Sequence, residues 1–295
     1  MLRAVYLRLI DIFLYLFIIM SKYKKTLKNI IKFINDDSKL KSIFYNKTKN
    51  RKYKPRVLLE YVLSILESGV SYRMHSKLTK YKTNNTPHHS TIYKFFIKLI
   101  KYNVIQDSFK ATVAQYMVKH KVTTFITDTS LVANKNGSNK VSYNPQLTKH
   151  KSTKISVISD DKGIPLDINI YSSNMNDSKI LNMHLDTFTN NVNFEKNNNN
   201  LLLADSGYDS NIIRDKLANL KFGQLLVPRN KRNTKNKNKL ANYKLTPKEK
   251  IVMKNRINVE HTFQNIKAYR RVNIRYDRSS IVFLNYVILG ALCRL

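Results

Sequence analysis

The sequence predicts an α/β protein in which a mixed sheet with flanking helices follows an all-α, basic N-terminal region. Three observations predict it. Apolar residues recur at helical spacing up to Lys101, and from Lys121 the pattern shifts to short β-branched runs. After that shift the chain reads three strands, helix, strand, helix, strand, helix. Two of the strand-like runs close on an aspartate, Phe125-Ile-Thr-Asp128 and Leu201-Leu-Leu-Ala-Asp205.

Composition bounds the partners. The 295 residues allow one large or two modest domains with a real core. Lys and Arg number 53 against 19 acids, a formal charge of +34, which points to a polyanion such as nucleic acid. The Lys-, Asn- and Ile-rich composition also fits an AT-rich genome, and both causes contribute. Cys293 is the single cysteine, so no internal disulfide or cysteine zinc site is possible, and a reducing, intracellular, DNA-associated location is expected. His88-His89 lack partners at zinc-finger spacing and read as loop residues.

Residues 1–20 form an apolar extension. Arg8 and Asp11 interrupt it, whereas spanning a bilayer takes about 20 clean apolar residues, and Met20-Ser-Lys-Tyr lacks a small-residue cleavage pattern. A buried or partner-facing helix, or an upstream extension, is expected, with no stable membrane association.

Residues 21–118 read as helical. Leu27, Ile30, Ile31 and Ile34 share one face, and Asn46 to Pro55 is a polar connector. Pro55 to Gly69 is a helix bounded by proline and glycine. Val70-Ser-Tyr-Arg turns into a second helix, and a loop with Ser90 as cap leads into the basic amphipathic segment 91–101, which carries Lys94 and Lys98. This is either a helix-turn-helix with residues 90–101 as its recognition helix or an ordinary bundle.

Residues 119–295 read as the α/β domain. Val122 to Thr127 is the first strand. Thr153–Ser159 and Ile164–Tyr171 pair through the turn Asp160-Asp-Lys-Gly163. A helix over Asp177–Phe188, an asparagine-rich loop, strand Leu201–Ala204, helix 209–219 and strand Gln224–Val227 follow. Residues 229–245 are a basic loop with six lysines or arginines between Arg229 and Lys239. Helix 246–270 and a final apolar helix near 279–293 close the chain. This is the ribonuclease-H-like order. In it the first strand and the end of the fourth lie side by side, so Asp128 and Asp205 converge and Glu260 approaches from the helix on the sheet.

The segment Arg256 to Val272 is expected to be one helix. Arg256, Glu260 and Lys267 recur at spacings of four and seven, so they stand on one stripe. By spacing alone that stripe is a solvated salt-bridge ladder. The two aspartates add a second reading: two strand-end carboxylates and one helix carboxylate are what a pair of Mg²⁺ ions needs to hold a scissile phosphate.

These blocks together resemble the DDE transposases of bacterial insertion sequences. Their signature separates Tyr, Arg, Glu and Lys by two, three and six residues; Arg256, Glu260 and Lys267 match, and Met253 stands at the Tyr position. Leu-Ala-Asp205-Ser-Gly-Tyr-Asp209 and Ile-Thr-Asp128-Thr-Ser are similar to the two aspartate blocks. Lys151-Ser-Thr-Lys-Ile-Ser-Val, Gly163-Ile-Pro-Leu and Asn174-Met-Asn-Asp177 also fall where the family has similar segments. The resemblance covers roughly residues 120–295.

The resemblance implies a DNA transposase that binds the terminal inverted repeats of its element, cuts by two-metal hydrolysis and transfers 3′ ends to target DNA. Mg²⁺ is the implied cofactor, as two ions, with Mn²⁺ substituting. Asp128 would bridge the metals, with Asp205 on one and Glu260 on the other. Each aspartate taken alone reads first as a loop cap or surface charge, and only the ordered set points to metal binding. Double-stranded DNA is the partner, and a homodimer on DNA is expected because two ends must be joined. Arg256 and Lys267 would bind DNA phosphates. Arg270, Arg271, Arg275 and Arg278 would extend that surface, or form a solvated basic face. Tyr208 could contact the backbone near Asp205. Asn174 and Asp177 would order a strand-to-helix turn, Asp177 equally as a cap, and Gly207 would serve a tight turn. Met253 removes a phosphate-contacting hydroxyl. Two other readings stay open: a nuclease or recombinase of the same fold not tied to an element, and a non-catalytic DNA-binding descendant.

Overall fold

The computed structural model describes residues 23–45, 52–80, 85–144, 151–196, 199–228 and 245–295. The apolar extension 1–20, most of the connector after Asn46 and the basic loop up to residue 244 lie outside them. Among the described residues no helix is long and apolar enough to cross a membrane.

Six helices come first. Helix α1 (Lys24–Asp36) buries Leu27, Ile30 and Ile34, as their spacing predicts, and α2 (Ser38–Tyr45) buries Leu40 and Phe44. Helix α3 (Pro55–Ser68) starts on its proline and stops at Gly69. There φ is +68°, and the Gly69 N–H closes the last turn onto Ile65. Helix α4 (Tyr72–Lys80) and helix α5 (His89–Lys101) follow. The cap of α5 is His88, whose ring accepts from Ser90 N–H, not Ser90 as the sequence suggested. Helix α6 (Val104–Lys119) carries no clear apolar stripe, so pattern reading passes over it.

The sheet has the order β2 (Ser142–Tyr143), β3 (Lys151–Asp160), β1 (Thr124–Asn134), β5 (Leu201–Leu203) and β6 (Gln224–Leu226), with β4 (Pro165–Ser172) on β3 and β7 (Ile274–Arg275) on β1. Strand β1 (Thr124–Asn134) runs well beyond Asp128, which therefore sits mid-strand rather than at a strand end. The antiparallel partner holds it there: β3 (Lys151–Asp160) pairs with β1 from Phe125↔Asp160 to Ala133↔Ser152. The expected hairpin is present, with Gly163 at φ +79° in the turn to β4 (Pro165–Ser172). Helix α7 (Asp177–Asn191), β5 (Leu201–Leu203), α8 (Asn211–Asn219) and β6 (Gln224–Leu226) follow in the expected order. Two short strands went unread, β2 (Ser142–Tyr143) and β7 (Ile274–Arg275), because two residues carry no period.

The single helix expected over 246–270 is broken. A capping box at Thr246 and Glu249 starts α9 (Pro247–Met253), and a tight 3₁₀ turn, Lys254–Arg256, leads into α10 (Ile257–Lys267). Tyr269 then leaves helical geometry with its ring buried in the core, which separates α10 from α11 (Arg270–Asn273). Helix α12 (Ser280–Leu292) is buried nearly all round. It packs on α6, on β4 and on α3, so the helical region and the sheet share one continuous hydrophobic core.

Candidate active site

Parallel pairing of β5 with β1 sets the two aspartates level. Ile126 is opposite Leu203, and Asp128 and Asp205 each lie two residues farther on. They stand abreast just past the last β1–β5 pair, Asp205 beyond the carboxyl end of β5 and Asp128 midway along β1. Asp205 is exposed and caps the 3₁₀ turn Ser206–Tyr208, accepting from Ser206 N–H at 2.7 Å.

Asp128 is three-quarters buried. Its Oδ1 accepts from Thr129 N–H at 2.8 Å and faces the Tyr208 hydroxyl at 3.5 Å. Burial pushes its carboxyl up to about 6. The Thr129 N–H and Arg256 oppose that rise, and the nearby charges of Asp177 and Asp205 add to it.

Helix α10 is docked by the β3–β4 turn. Asn258 Nδ2 donates to Asp161 O at 2.5 Å and Thr262 Oγ1 to Gly163 O at 2.7 Å. A Cβ on Gly163 would lie 2.8 Å from Asn258 O, so glycine is required both by φ and by this close approach. Docked this way, α10 leaves Glu260 exposed beside Arg256. The Arg256 guanidinium reaches both carboxylates, at 3.5 Å from Asp128 Oδ2 and 3.6 Å from Glu260 Oε1.

Three carboxylates offer the hard oxygen donors that suit Mg²⁺ or Mn²⁺, so the donor chemistry fits a divalent cation. Among the described residues no three acidic, histidine or cysteine side chains are close enough to hold a metal. The Arg256 cation stands between two of the carboxylates instead.

On the other wall of the cleft the sequence assigns roles only to Asp128 and Asp177. Asp128, Thr129, Ser130, Leu131, Asn144, Lys154 and Asp177 line it. Asp177 accepts from Thr129 Oγ1 at 2.8 Å and pairs with Lys154 Nζ at 2.7 Å, while Lys154 also donates to Met175 O. The cap of α7 is Asn176, not Asp177. Asn174 fastens the turn through its N–H to Ser142 Oγ. Lys154 lies within the block Lys151-Ser-Thr-Lys-Ile-Ser-Val, where the sequence assigns it no role.

The basic residues divide. Arg270, Arg278 and Lys94 are exposed, as a phosphate-binding surface requires. Four others, and Tyr208 with them, are placed differently. Arg275 is fully buried, donating to Thr153 Oγ1 and to the carbonyls of Asp277 and Arg278. Arg271 is buried between the rings of Tyr72 and Tyr286 and grips Asp277 with two nitrogens at 3.1 and 2.6 Å. Lys267 donates to Ser130 Oγ and Leu131 O, both at 2.7 Å, tying α10 to β1. Lys98 donates to Ile43 O and lies over Phe44. Tyr208 is buried against Asp128 rather than open to a DNA backbone. Period and spacing cannot separate a buried, paired arginine from an exposed one. Gly207 is exposed and does not take positive φ, so its turn does not demand glycine.

The family described as transposase DDE domain matches residues 119–295. No curated protein matches the chain. Among solved structures, a pre-cleavage Mos1 transpososome is 9% identical, with 83% of this chain and 78% of that chain covered and a TM-score of 0.28. The catalytic domain of Mos1 mariner transposase is 9% identical, with 59% and 94% covered and a TM-score of 0.25. Likeness at this level says nothing about substrate.

Proposed function

The chain belongs to the transposase DDE domain family, and from that premise we propose that it is a DNA transposase of the insertion-sequence type with a Tyr-Arg-Glu-Lys signature lacking its Tyr. It binds the terminal inverted repeats of its element, hydrolyses the phosphodiester at the ends and transfers the 3′ ends to target DNA. Two protomers act together, one for each end. The observation that carries this reading is the level placement of Asp128 and Asp205 on paired parallel strands, with Glu260 joined to Asp128 through Arg256.

Asp128, Asp205 and Glu260 would hold two divalent cations, Mg²⁺ or Mn²⁺. Bound there, such ions supply an activated water or 3′-hydroxyl and neutralise charge on the leaving oxygen. The protein's own residues do the rest. The Thr129 N–H and the Tyr208 hydroxyl orient the Asp128 carboxylate. Lys267 fixes α10 against β1, and with it the distance of Glu260 from the sheet. Arg256 is the cation closest to the carboxylates, and it receives a non-bridging phosphate oxygen when DNA enters. Arg270 and Arg278, exposed nearby, hold the flanking backbone.

The test is cleavage of duplex DNA carrying the sequences that flank the coding segment, with Mg²⁺ or Mn²⁺, by wild type and by Glu260→Gln. Cutting by wild type that vanishes in the variant supports the reading. Equal cutting by both removes Glu260 from the site. Binding without cutting by either leaves a DNA-binding descendant.

A further inference from the structure

Resting on the reading that DNA is the partner, we propose that helix α4, and not α5, is the helix that lies on the DNA, with Arg73 and Lys77 on phosphates and Met74 and Leu78 against base edges in a groove.

The two candidate helices spend their residues differently. Helix α5 commits Ile92, Phe95, Phe96, Leu99 and Ile100 to the core, and its Lys98 is tied to Ile43 O. Helix α4 buries only His75 and Ser76, and both are partnered: the His75 ring with Ser64 Oγ at 2.8 Å, and Ser76 Oγ with Pro87 O at 2.9 Å. Its remaining face is exposed and carries Arg73, Met74, Lys77, Leu78 and Lys80. Met74 and Leu78 are each about half exposed, an arrangement that a helix pays for in solvent and that a groove wall would cover.

Charge selects the occupant. No acidic residue occurs between Glu67 and Asp107, while that stretch holds seven lysines and arginines. A protein partner at so uniformly basic a face would have to be strongly acidic, whereas duplex DNA offers regularly spaced negative charge and apolar thymine methyl groups together.

The connection also has the required form. Three residues, Gly69 to Ser71, join α3 to α4, with Gly69 left-handed, which is the short glycine-bearing turn of a helix-turn-helix. Between α4 and α5 stand the eight residues 81–88. The short turn is seated on the catalytic region: Arg271 donates to Val70 O at 3.4 Å, and a Cβ on Gly69 would lie 2.7 Å from Arg270 Cβ. Arg270 and Arg271 open α11, separated from α10 only by Ala268 and Tyr269. The helix on the DNA and the helix bearing Glu260 are thereby held in one frame, so docking α4 sets where the phosphodiester meets the carboxylates.

The test is fluorescence anisotropy of the full chain on a labelled duplex carrying the flanking sequences, over a salt series without divalent metal. Wild type is compared with Arg73→Ala/Lys77→Ala and with Lys94→Ala/Lys101→Ala, all outward-facing, with melting curves as a check on folding. The α4 pair is expected to weaken binding at least tenfold at moderate salt and to lower the slope of log affinity against log salt by about two, with the α5 pair much less affected. Met74→Ala/Leu78→Ala is expected to narrow the preference for flanking over scrambled sequence. Retained affinity and slope in the α4 pair overturn the proposal, as does a loss confined to the α5 pair. Loss of self-association with DNA binding intact makes this face a contact between copies and also overturns it. If wild type binds no duplex at all, the transposase reading itself fails.

Discussion

Arg256 and Asp128 face each other across the junction of β1 and α10, with Arg256 Nη1 3.5 Å from Asp128 Oδ2. The same guanidinium reaches Glu260, so one protein cation neutralises the space between two candidate metal ligands.

A divalent ion must compete with that guanidinium for the same oxygens. Arg256→Gln is expected to tighten Mn²⁺ binding to the DNA-free protein by about two- to fivefold, the worth of a partly exposed ion pair, while weakening DNA binding. Titration of Mn²⁺ by electron paramagnetic resonance measures it; unchanged or weaker Mn²⁺ binding would show that Arg256 is not a competitor.

Asp128 also makes stability depend on pH. Its folded value, about 6, lies above the ordinary carboxylate value of 3.8, so the folded state binds the proton more tightly. The resulting stabilisation is full below about pH 4 and is lost as pH rises through about 6. Metal-free Asp128→Asn is therefore expected to be more stable than wild type at pH 7, by up to about 2 kcal/mol. Urea unfolding in chelator at pH 4 and pH 7 checks this: the wild-type deficit should be absent at pH 4 and full at pH 7, and parallel behaviour of the two proteins would refute it.

Lys267 works as a strut. Replacing it by Met leaves Leu131 O and Ser130 Oγ without their donor in a half-buried site, a cost of about 1–3 kcal/mol. Denaturant midpoints measure the loss. Were the lysine a solvated phosphate ligand instead, stability would barely move and only DNA affinity would fall.

Arg271 is the joint between the helical region and the sheet region. Arg271→Ala leaves Asp277 as a buried, unpaired carboxylate and empties the space between Tyr72 and Tyr286, so a loss of about 3–5 kcal/mol is expected. Arg271→Lys keeps the charge and still loses the two-nitrogen grip, so it should recover only part of that loss. Thermal melting of the two variants decides; full recovery by lysine would show that only charge matters there.

The features that could be read from the chain alone are local and periodic. Proline and glycine bounded α3, β-branched runs marked β1, β3 and β4, and Asp160 to Gly163 marked the hairpin, since each depends on residues a few positions apart. The three carboxylates were nominated from ordered motifs with matched flanks, and the structure sets Asp128 level with Asp205. Tertiary structure decided the rest. Strand β1 runs past Asp128 only because β3 pairs with it throughout, and the helix read from Arg256 to Val272 is interrupted at Tyr269, whose ring is buried in the core. Arg271 and Arg275 look in the sequence like Arg270 and Arg278, yet Asp277 and two tyrosines claim the first, and Thr153 with two carbonyls claims the second. Burial of an arginine depends on partners distant in the chain, such as Tyr72, Thr153 and Tyr286, and no spacing rule contains that distance.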